Sequence, residues 1–230
     1  MTMPTADDTA RSSTTSARPA GPFAGVAFDL DGTLVNTLPA MELSWNAILA
    51  PVIGRAIPAQ EIVGTLGPHL IEIVRSYEPD DAEALTAALA AHYRSIFLTT
   101  SELYDGIVEL VTGLADRGVA LGVVTSMDAG ARPLLEHLGL LQHFSTVVTC
   151  DDVAHLKPHP EPVLAVAAGL GVAPAELLVV GDSPVDMVAA RAAGAVGGAA
   201  LWGFSGRKAE SEAAWLFDTP VDVHHAWTRR

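Results

Sequence analysis

The pattern of apolar and polar positions divides the chain into a polar tail, a helical stretch and a stretch of alternating elements. Residues 1–22 are rich in Ser, Thr, Ala and Pro and hold few large apolar side chains, which predicts a disordered tail. Order is predicted to begin at Val26, Ala27 and Phe28. This short apolar run stops at a charged turn, as a buried parallel strand does.

Residues 38–103 follow a helical pattern without a convincing strand. The clearest helix lies in DDAEALTAALAAHYRSIFL, where Leu85, Leu89, Tyr93 and Phe97 recur at helical spacing. Prolines divide the rest of the stretch into short helices. We therefore predict a helical insert over these residues.

From Tyr104 onward, helical and strand patterns alternate. Helices are predicted near 106–117, 129–138, 160–169 and 184–193, and strands near 119–125, 146–149, 177–180 and 196–202. Such alternation implies a parallel sheet covered on both faces. The predicted fold is a doubly wound, Rossmann-like α/β core of residues 23–37 and 104–230, interrupted by a helical cap domain of residues 38–103.

The charge and cysteine content of the chain exclude several kinds of binding partner and site. The 230 residues carry a formal net charge of −14 and only two lysines, which argues against nucleic acid or an anionic membrane surface as partner. Cys150 is the only cysteine, so an intramolecular disulfide and a cysteine-rich zinc site are excluded. No segment resembles a signal peptide, and we expect a cytoplasmic protein.

Four short polar segments each lie at the end of a predicted core strand or just beyond it. They are FDLDGTLVNT (28–37), VVTS (123–126), KPHPEP (157–162) and VVGDSPVD (179–186). Open α/β sheets bind their ligands at the carboxyl ends of the strands. The four segments are therefore expected to meet in one site.

Asp29 and Asp31 are two positions apart, so their side chains leave an extended segment on the same side. One carboxylate of such a pair can attack phosphorus as a nucleophile while the other transfers protons. Gly32 and Thr33 then permit a tight reversal close to a bound phosphate. The alternative is an Asp-Gly turn that only ends a strand.

Thr125, Ser126 and Lys157 are candidates for holding a phosphate. The two hydroxyl residues end a predicted strand just before a predicted helix, whose N-terminus can bind phosphate oxygens. Their alternative role is helix capping, for which Asp128 is also available. Lys157 is held extended by Pro158 and can neutralise phosphate as a point charge; the alternative is a solvated surface lysine.

Asp182 follows the predicted strand LLVVG, where a carboxylate that faces Asp29 is a hard oxygen ligand for Mg²⁺. Ser183 and Asp186 form a capping-box pattern at the start of the next helix. Asp186 thus has a structural explanation, and it is also a candidate partner for Lys157.

In order and spacing, the four segments resemble the signature motifs of the haloacid dehalogenase-like superfamily, in its subgroup with a helical cap inserted after the first motif. The resemblance covers about residues 23–225, and phosphoglycolate phosphatase-like enzymes are the nearest branch. It implies a Mg²⁺-dependent phosphatase acting through an aspartyl-phosphate. It also implies that the strands before Asp29 and Asp182 lie side by side.

The resemblance assigns roles to individual residues. The catalytic set is the nucleophile Asp29, the general acid/base Asp31, and Lys157. The Mg²⁺ ligands are Asp29, the backbone carbonyl of Asp31, and Asp182. The phosphoryl group is held by Thr125 and Lys157, with Ser126 as our further candidate, and Asp186 supports the metal or the lysine.

The charges of these residues explain why a metal ion is expected. The four aspartates contribute −4 when ionised and Lys157 contributes +1, so the cluster carries −3 before a dianionic phosphate arrives. Mg²⁺ bridging carboxylate and phosphate would offset that repulsion.

Several branches of the superfamily are excluded by single positions. The dehalogenases lack the second aspartate, which is present here as Asp31. The phosphonate-cleaving branch requires a lysine in the cap, and residues 38–103 contain none. The P-type ATPases carry a lysine directly after the nucleophile, where this chain has Leu30. Phosphomonoester hydrolysis and phosphosugar mutation of the β-phosphoglucomutase kind remain. The sparse charge of the cap favours hydrolysis of a small phosphorylated metabolite.

An alternative hypothesis is that the protein is a non-catalytic relative that binds a phosphorylated ligand or a partner protein. The presence of Asp29, Asp31 and Lys157 argues against it. The cap offers five polar candidates for contact with substrate, each also explicable as a surface or interhelical residue: Arg55, His69, Arg75, His92 and Arg94.

Overall fold

A computed structural model describes residues 22–65, 69–77 and 79–227. The tail predicted for residues 1–22 lies outside the described residues, except for residue 22. The strands are β1 (Gly25–Phe28), β2 (Val35–Asn36), β3 (Glu102–Leu103), β4 (Ala120–Val124), β5 (Thr146–Val148), β6 (Leu177–Gly181), β7 (Val196–Ala200) and β8 (Trp215–Phe217). The α-helices are α1 (Leu38–Ile48), α2 (Ala50–Ile53), α3 (Ala59–Thr65), α4 (Leu70–Arg75), α5 (Ala82–Thr100), α6 (Ile107–Ala115), α7 (Ala131–His137), α8 (Glu161–Leu170), α9 (Pro184–Ala192) and α10 (Pro220–His225).

Six strands form one parallel sheet in the order β5-β4-β1-β6-β7-β8. From β1 the chain adds β4 and β5 on one side, and then returns to add β6, β7 and β8 on the other. The direction of strand addition therefore changes beside β1, and such a switch point opens a crevice at the carboxyl ends of the strands. Because β1 pairs with β6, the predicted adjacency of the strands before Asp29 and Asp182 is confirmed.

Helices cover both faces of this sheet. Val26 and Phe28 of β1 belong to one hydrophobic cluster, and Ala27 between them belongs to another. This is the alternation that a strand buried on both faces requires. Helices α6, α7 and α10 contribute buried side chains to the first cluster, and α8 and α9 contribute to the second.

The insert has a hydrophobic cluster of its own. Buried side chains from α1, α3, α4 and α5 form it, among them Trp45, Ile62, Val74 and Leu89. Helix α5 also reaches the core, because its residue Phe97 lies in the first sheet cluster. This helix is therefore packed at both ends, against the insert and against the core.

A two-stranded antiparallel ribbon joins the two crossings between core and insert. Strand β2 pairs with β3, with Val35 opposite Leu103 and Asn36 opposite Glu102. The prediction that residues 38–103 contain no strand is therefore wrong at Glu102 and Leu103. Two residues are too short to show a strand period, and their partner lies far away along the chain.

The doubly wound α/β fold with a helical insert is confirmed, and each predicted core strand and helix is present within a few residues. Strand β8 and helix α10 were not predicted. Two of the three residues of β8, Trp215 and Leu216, are exposed, so this edge strand shows little hydrophobic pattern. None of the helices in the described part of the chain has the length and apolarity needed to cross a membrane.

Candidate active site

The four polar segments meet at the carboxyl edge of the sheet. Asp29, Thr125 and Asp182 directly follow β1, β4 and β6, which are three neighbouring strands. Lys157 lies in the connection between β5 and α8, and its side chain reaches back to β1 and β4. The switch point of the fold thus brings together side chains separated by more than a hundred positions.

A buried ammonium group is at the centre of this site. Lys157 Nζ donates to Asp29 Oδ1 at 2.6 Å, to Asp186 Oδ1 at 2.6 Å and to the carbonyl oxygen of Val124 at 3.1 Å. All three donors of the ammonium are therefore used. Lys157 lies in the site and is not the solvated surface lysine of the alternative reading.

Asp186 performs both of the roles considered for it. Its Oδ2 accepts hydrogen bonds from the backbone N–H and the hydroxyl of Ser183, at 3.1 and 2.7 Å, and so completes a capping box at the start of α9. Its Oδ1 accepts from Lys157. Because both oxygens are engaged, this residue is suited to positioning the lysine.

Three buried carboxyl groups could hold a metal ion. One oxygen from each of Asp29, Asp182 and Asp186 lies within 4.8 Å of the others. The Asp29 and Asp182 carboxylates fit the expected Mg²⁺ ligands, whereas the third carboxylate nearby belongs to Asp186, not to the side chain of Asp31. Oxygen donors of this kind are those that Mg²⁺ prefers. With one lysine against three carboxylates, the buried cluster carries −2 when all its members are ionised.

The burial and mutual repulsion of these carboxylates shift the pKa values of the cluster. Burial, together with the neighbouring carboxylates and against the opposing effect of Lys157, raises the pKa of Asp29 well above its ordinary value. Burial and the charge of Asp186 raise the pKa of Asp182 to about 7. Burial acts to lower the pKa of Lys157, but Asp186 and Asp29 outweigh it and the pKa rises. The lysine therefore stays charged, and a further cation would favour the ionised carboxylates.

Asp31 lies beside this cluster in a different environment. It is half-buried, and its Oδ1 accepts a hydrogen bond of 2.6 Å from the hydroxyl of Thr37. Burial raises the pKa of Asp31, and the bond from Thr37 partly opposes that rise. Asp31 therefore holds a proton more readily than an exposed aspartate, which suits a residue that transfers protons.

Thr125 and Ser126 are not at a helix N-terminus, and that expectation was wrong. A loop follows β4, so helix α7 begins only at Ala131. The residue before the helix is Gly130, which provides no side-chain cap. The hydroxyl of Thr125 is buried and accepts from the backbone N–H of Met127 at 3.0 Å, while Ser126 is exposed. Their binding of phosphate stays a prediction.

The loop after β7 supports the site and was missed in the sequence. Its Trp202 donates from Nε1 to the carbonyl oxygen of Thr33 at 2.9 Å, and the N–H of Ser205 donates to Asp182 Oδ2 at 2.9 Å. Gly203 lies between them, so close to Gly32 and Asp182 that no side chain fits. The glycine-rich composition of this segment was a signal, but nothing local in sequence indicates which residues it approaches.

Thr33 was expected only to form the turn, and its contact with Asp29 was not predicted. Its buried hydroxyl donates to Asp29 Oδ2 at 3.4 Å. Asp29 thus has one oxygen held tightly by Lys157 at 2.6 Å, and among the described residues the other is held only by this longer bond. The second oxygen is the one more available for reaction.

The polar residues of the insert are mostly engaged with their own surroundings. Arg55 pairs with Glu61 and Arg75 with Glu83, both at 2.7 Å and both exposed. His92 Nδ1 lies 3.1 Å from the hydroxyl of Ser44. Arg94 reaches Asp128 of the core at 3.7 Å, and the exposed His69 lines a cleft between insert and core.

The parallel sheet and the aspartate-lysine cluster at its carboxyl edge are the arrangement that the sequence led us to expect of a phosphoric monoester hydrolase. The sequence model of the family described as haloacid dehalogenase-like hydrolase matches residues 26–198, and the chain belongs to this family.

Similar proteins and a solved structure agree with this family. The chain is 34% identical to a phosphoglycolate phosphatase from Xylella fastidiosa over 210 residues, which is 89% of this chain and 91% of the relative. It is 39% identical to a phosphoglycolate phosphatase from Rhodospirillum rubrum over 182 residues, 74% and 76% of the two chains. The crystal structure of a predicted phosphoglycolate phosphatase from Haemophilus somnus superposes with a TM-score of 0.78 at 28% identity, covering 88% of this chain and 96% of the other.

We predict that Gly203→Ala disturbs the site, because the new methyl group would collide with the Gly32 carbonyl oxygen and the Asp182 side chain. Overpacking of this kind costs about 1–3 kcal/mol of stability. A misplacement of about 1 Å lowers turnover by about 10²-fold. Thermal unfolding and steady-state hydrolysis of a phosphate ester measure both effects. The control is Gly64→Ala, where the added methyl meets open space. Wild-type turnover in Gly203→Ala would contradict the role given to this loop.

Proposed function

We propose that the protein is a Mg²⁺-dependent phosphatase that hydrolyses a small, phosphoglycolate-like phosphomonoester through an aspartyl-phosphate on Asp29. The observation that carries the proposal is the buried Asp29 carboxylate, held by Lys157 at the switch point of the sheet with Asp31 two residues further on. The phosphoglycolate phosphatases among its relatives support the substrate class.

In the first step, a carboxylate oxygen of Asp29 attacks the phosphorus atom of the substrate. The bond from phosphorus to the leaving oxygen breaks, and that oxygen takes the proton held by Asp31. Lys157 keeps the attacking carboxylate in place and lies close enough to it to offset charge that develops on the phosphoryl oxygens. The products of this step are an alcohol and an aspartyl-phosphate.

In the second step, a water molecule attacks the phosphorus of the aspartyl-phosphate and gives its proton to Asp31. The acyl-phosphate bond breaks, and Asp29 leaves as a carboxylate. Inorganic phosphate is released and both aspartates return to their starting protonation states. Asp31 acts first as acid and then as base, which the raised pKa of its carboxyl favours.

Asp29, the backbone carbonyl of Asp31 and Asp182 would hold the Mg²⁺ ion, with Asp186 nearby to fix Lys157. The acidic, oxygen-rich cluster suits this ion, since three carboxyl groups face one ammonium. When bound, Mg²⁺ supplies positive charge that offsets the repulsion between carboxylates and phosphate. Thr125, Ser126 and Lys157 would contact the phosphoryl oxygens.

The insert, residues 38–103, is proposed as a cap domain over the core of residues 23–37 and 104–230. Its separate hydrophobic cluster and the β2–β3 ribbon at its crossings support this division. Two of its three arginines are occupied by glutamates of the insert itself. Few charged side chains of the insert thus remain to bind a large polar sugar. This favours a phosphatase with a small substrate over a phosphosugar mutase. A cytoplasmic location is part of the proposal, supported by the single cysteine.

Asp29→Asn should abolish turnover, because an amide cannot form the acyl-phosphate. The expected loss in kcat is on the order of 10⁴-fold or more, as for nucleophile removal in other enzymes. Steady-state release of phosphate measures it, with circular dichroism as a check of folding. The exposed Asp116→Asn is the matched control and should keep wild-type turnover. A tenth of the wild-type rate in the Asp29 variant would exclude the mechanism.

Removal of divalent cations should stop hydrolysis, since the buried carboxylates then repel the phosphate. We expect activity on a generic phosphate ester to vanish in excess EDTA and to return with Mg²⁺. Asp182→Asn should shift the Mg²⁺ titration to much higher concentration or eliminate activity. Full activity without metal would show that the aspartates do not form a cation site.

The identity of the product separates the phosphatase from a phosphosugar mutase. The protein is incubated with 2-phosphoglycolate in one reaction and β-glucose 1-phosphate in another, and both are followed by phosphorus NMR. We expect inorganic phosphate as the main product, formed faster from 2-phosphoglycolate. Conversion to glucose 6-phosphate with little free phosphate would assign the mutase reaction and leave the roles of Asp29 and Asp31 standing.

A further inference from the structure

The connection that carries Lys157 into the active site also presents a second group of metal-ligating side chains at the surface. His155, His159 and Glu161 each place a ligand atom within 4.8 Å of the other two. The two histidines are exposed and Glu161 is half-buried, whereas the acidic cluster around Asp29 is buried throughout. The two groups are therefore separate in position and different in chemistry.

The distances within this group fit a small tetrahedral cation. His155 Nδ1 lies 2.8 Å and His159 Nδ1 lies 3.8 Å from Glu161 Oε2. Metal–ligand bonds of about 2.0–2.2 Å at tetrahedral angles separate neighbouring ligand atoms by about 3.4 Å. The two distances lie on either side of that value, and all three ligand atoms lie within 4.8 Å of one another.

The carboxylate of this group is already fixed in place. Glu161 Oε1 accepts from the N–H of Ala154 at 2.8 Å, and Oε2 accepts from the N–H of His155 at 3.1 Å. These bonds tie the first residue of α8 to the loop that carries the histidines. The imidazole rings of His155 and His159 lie with centroids 4.4 Å apart and planes inclined by 32°. The carboxylate is therefore held in place before a cation binds.

The donor set distinguishes the cation. Imidazole nitrogens favour Zn²⁺ and related transition metals, whereas Mg²⁺ favours sites made of oxygen alone. Binding would replace two hydrogen bonds, the one between His155 Nδ1 and Glu161 and the one from the Glu161 N–H to His159 Nδ1 at 3.2 Å. It would also require an unprotonated Nδ1 on both rings.

The group faces a cleft that leads toward the insert. A cavity of about 590 Å³ is lined by residues 154–160 of the core and by His69 and Glu72 of the insert. Lys157 belongs to the same lining. Because the histidines line an open cleft, water would have access to a cation held by the three side chains.

We propose that His155, His159 and Glu161 form a binding site for a zinc-type divalent cation, distinct from the Mg²⁺ site of the catalytic aspartates. The site lies at the mouth of the cleft between core and insert, on the loop that holds Lys157. The proposal rests on these three side chains and not on the phosphatase activity, so it can hold or fail independently of the proposed function.

The experiment is a titration of the full chain, free of any affinity tag, with Zn²⁺ in a constant excess of Mg²⁺ at neutral pH. A chromophoric chelator competes for the metal and reports its affinity. We expect one Zn²⁺ per chain to bind to this site. The double variant with His155→Gln and His159→Gln should bind Zn²⁺ at least about 10-fold more weakly than the wild type. Loss of a residue that only supports a metal ligand already costs roughly 10-fold in affinity, and this variant loses two ligands. Thermal unfolding without metal verifies that the variant is folded.

Two matched variants locate the bound ion. His137→Gln removes another exposed histidine outside the group and should bind Zn²⁺ as the wild type does. Asp182→Asn removes a member of the acidic cluster and should also bind it unchanged. Absence of binding to the wild type, unchanged binding to the double histidine variant, or loss of binding in Asp182→Asn would each overturn the proposal. Glu161→Gln should weaken binding as the histidine variant does.

Discussion

The ion pairs of the buried Lys157 ammonium are the interactions on which the rest of the site depends. Lys157 connects Asp29 after β1, the last carbonyl of β4 and Asp186 in α9, and so ties together three elements that meet only in the folded state. Removing one partner from a buried ion pair costs about 3–5 kcal/mol, because the other charge is left unpaired. The lysine offsets only one of three nearby carboxylates. The excess negative charge is what makes this edge of the sheet suited to a divalent cation and, through it, to a phosphate.

The hydrogen bonds of the aspartates separate positioning groups from reacting groups. Both oxygens of Asp186 are engaged, one by Lys157 and one by Ser183. Asp182 has one oxygen bound by the Ser205 N–H. In the part of the chain that the structure describes, one oxygen of Asp29 is bound only by a 3.4 Å contact with Thr33. Saturated carboxylates hold their neighbours in place, and unsaturated ones can bind a cation or attack a substrate. The aspartates of the motifs are thus the same type of residue but differ in how many hydrogen bonds their oxygens accept.

The connection between β5 and α8 has two chemically different sides. Its lysine enters the buried site, and its histidines remain exposed around Glu161 at the cleft. Helix α5 of the insert also contacts the core, since Arg94 reaches Asp128 and Phe97 packs in the first hydrophobic cluster. The cleft, the lysine and the surface histidines form one continuous region of the molecule.

The sequence by itself determined the α/β class and the helical insert, and it predicted that Asp29, Asp31, Lys157 and Asp182 belong to one site. The structure brings Asp29, Lys157 and Asp182 together and places Asp31 beside them. Hydrophobic period and the position of polar residues after strands are local properties, so they can be read along the chain. The strand order expected from the family resemblance was confirmed by the pairing of β1 with β6. The sequence did not show that Ser126 lies away from a helix N-terminus, that Glu102 and Leu103 pair with β2, or that the loop after β7 supports Asp182. Those features depend on contacts between distant segments, and only packing in three dimensions decides which distant groups touch.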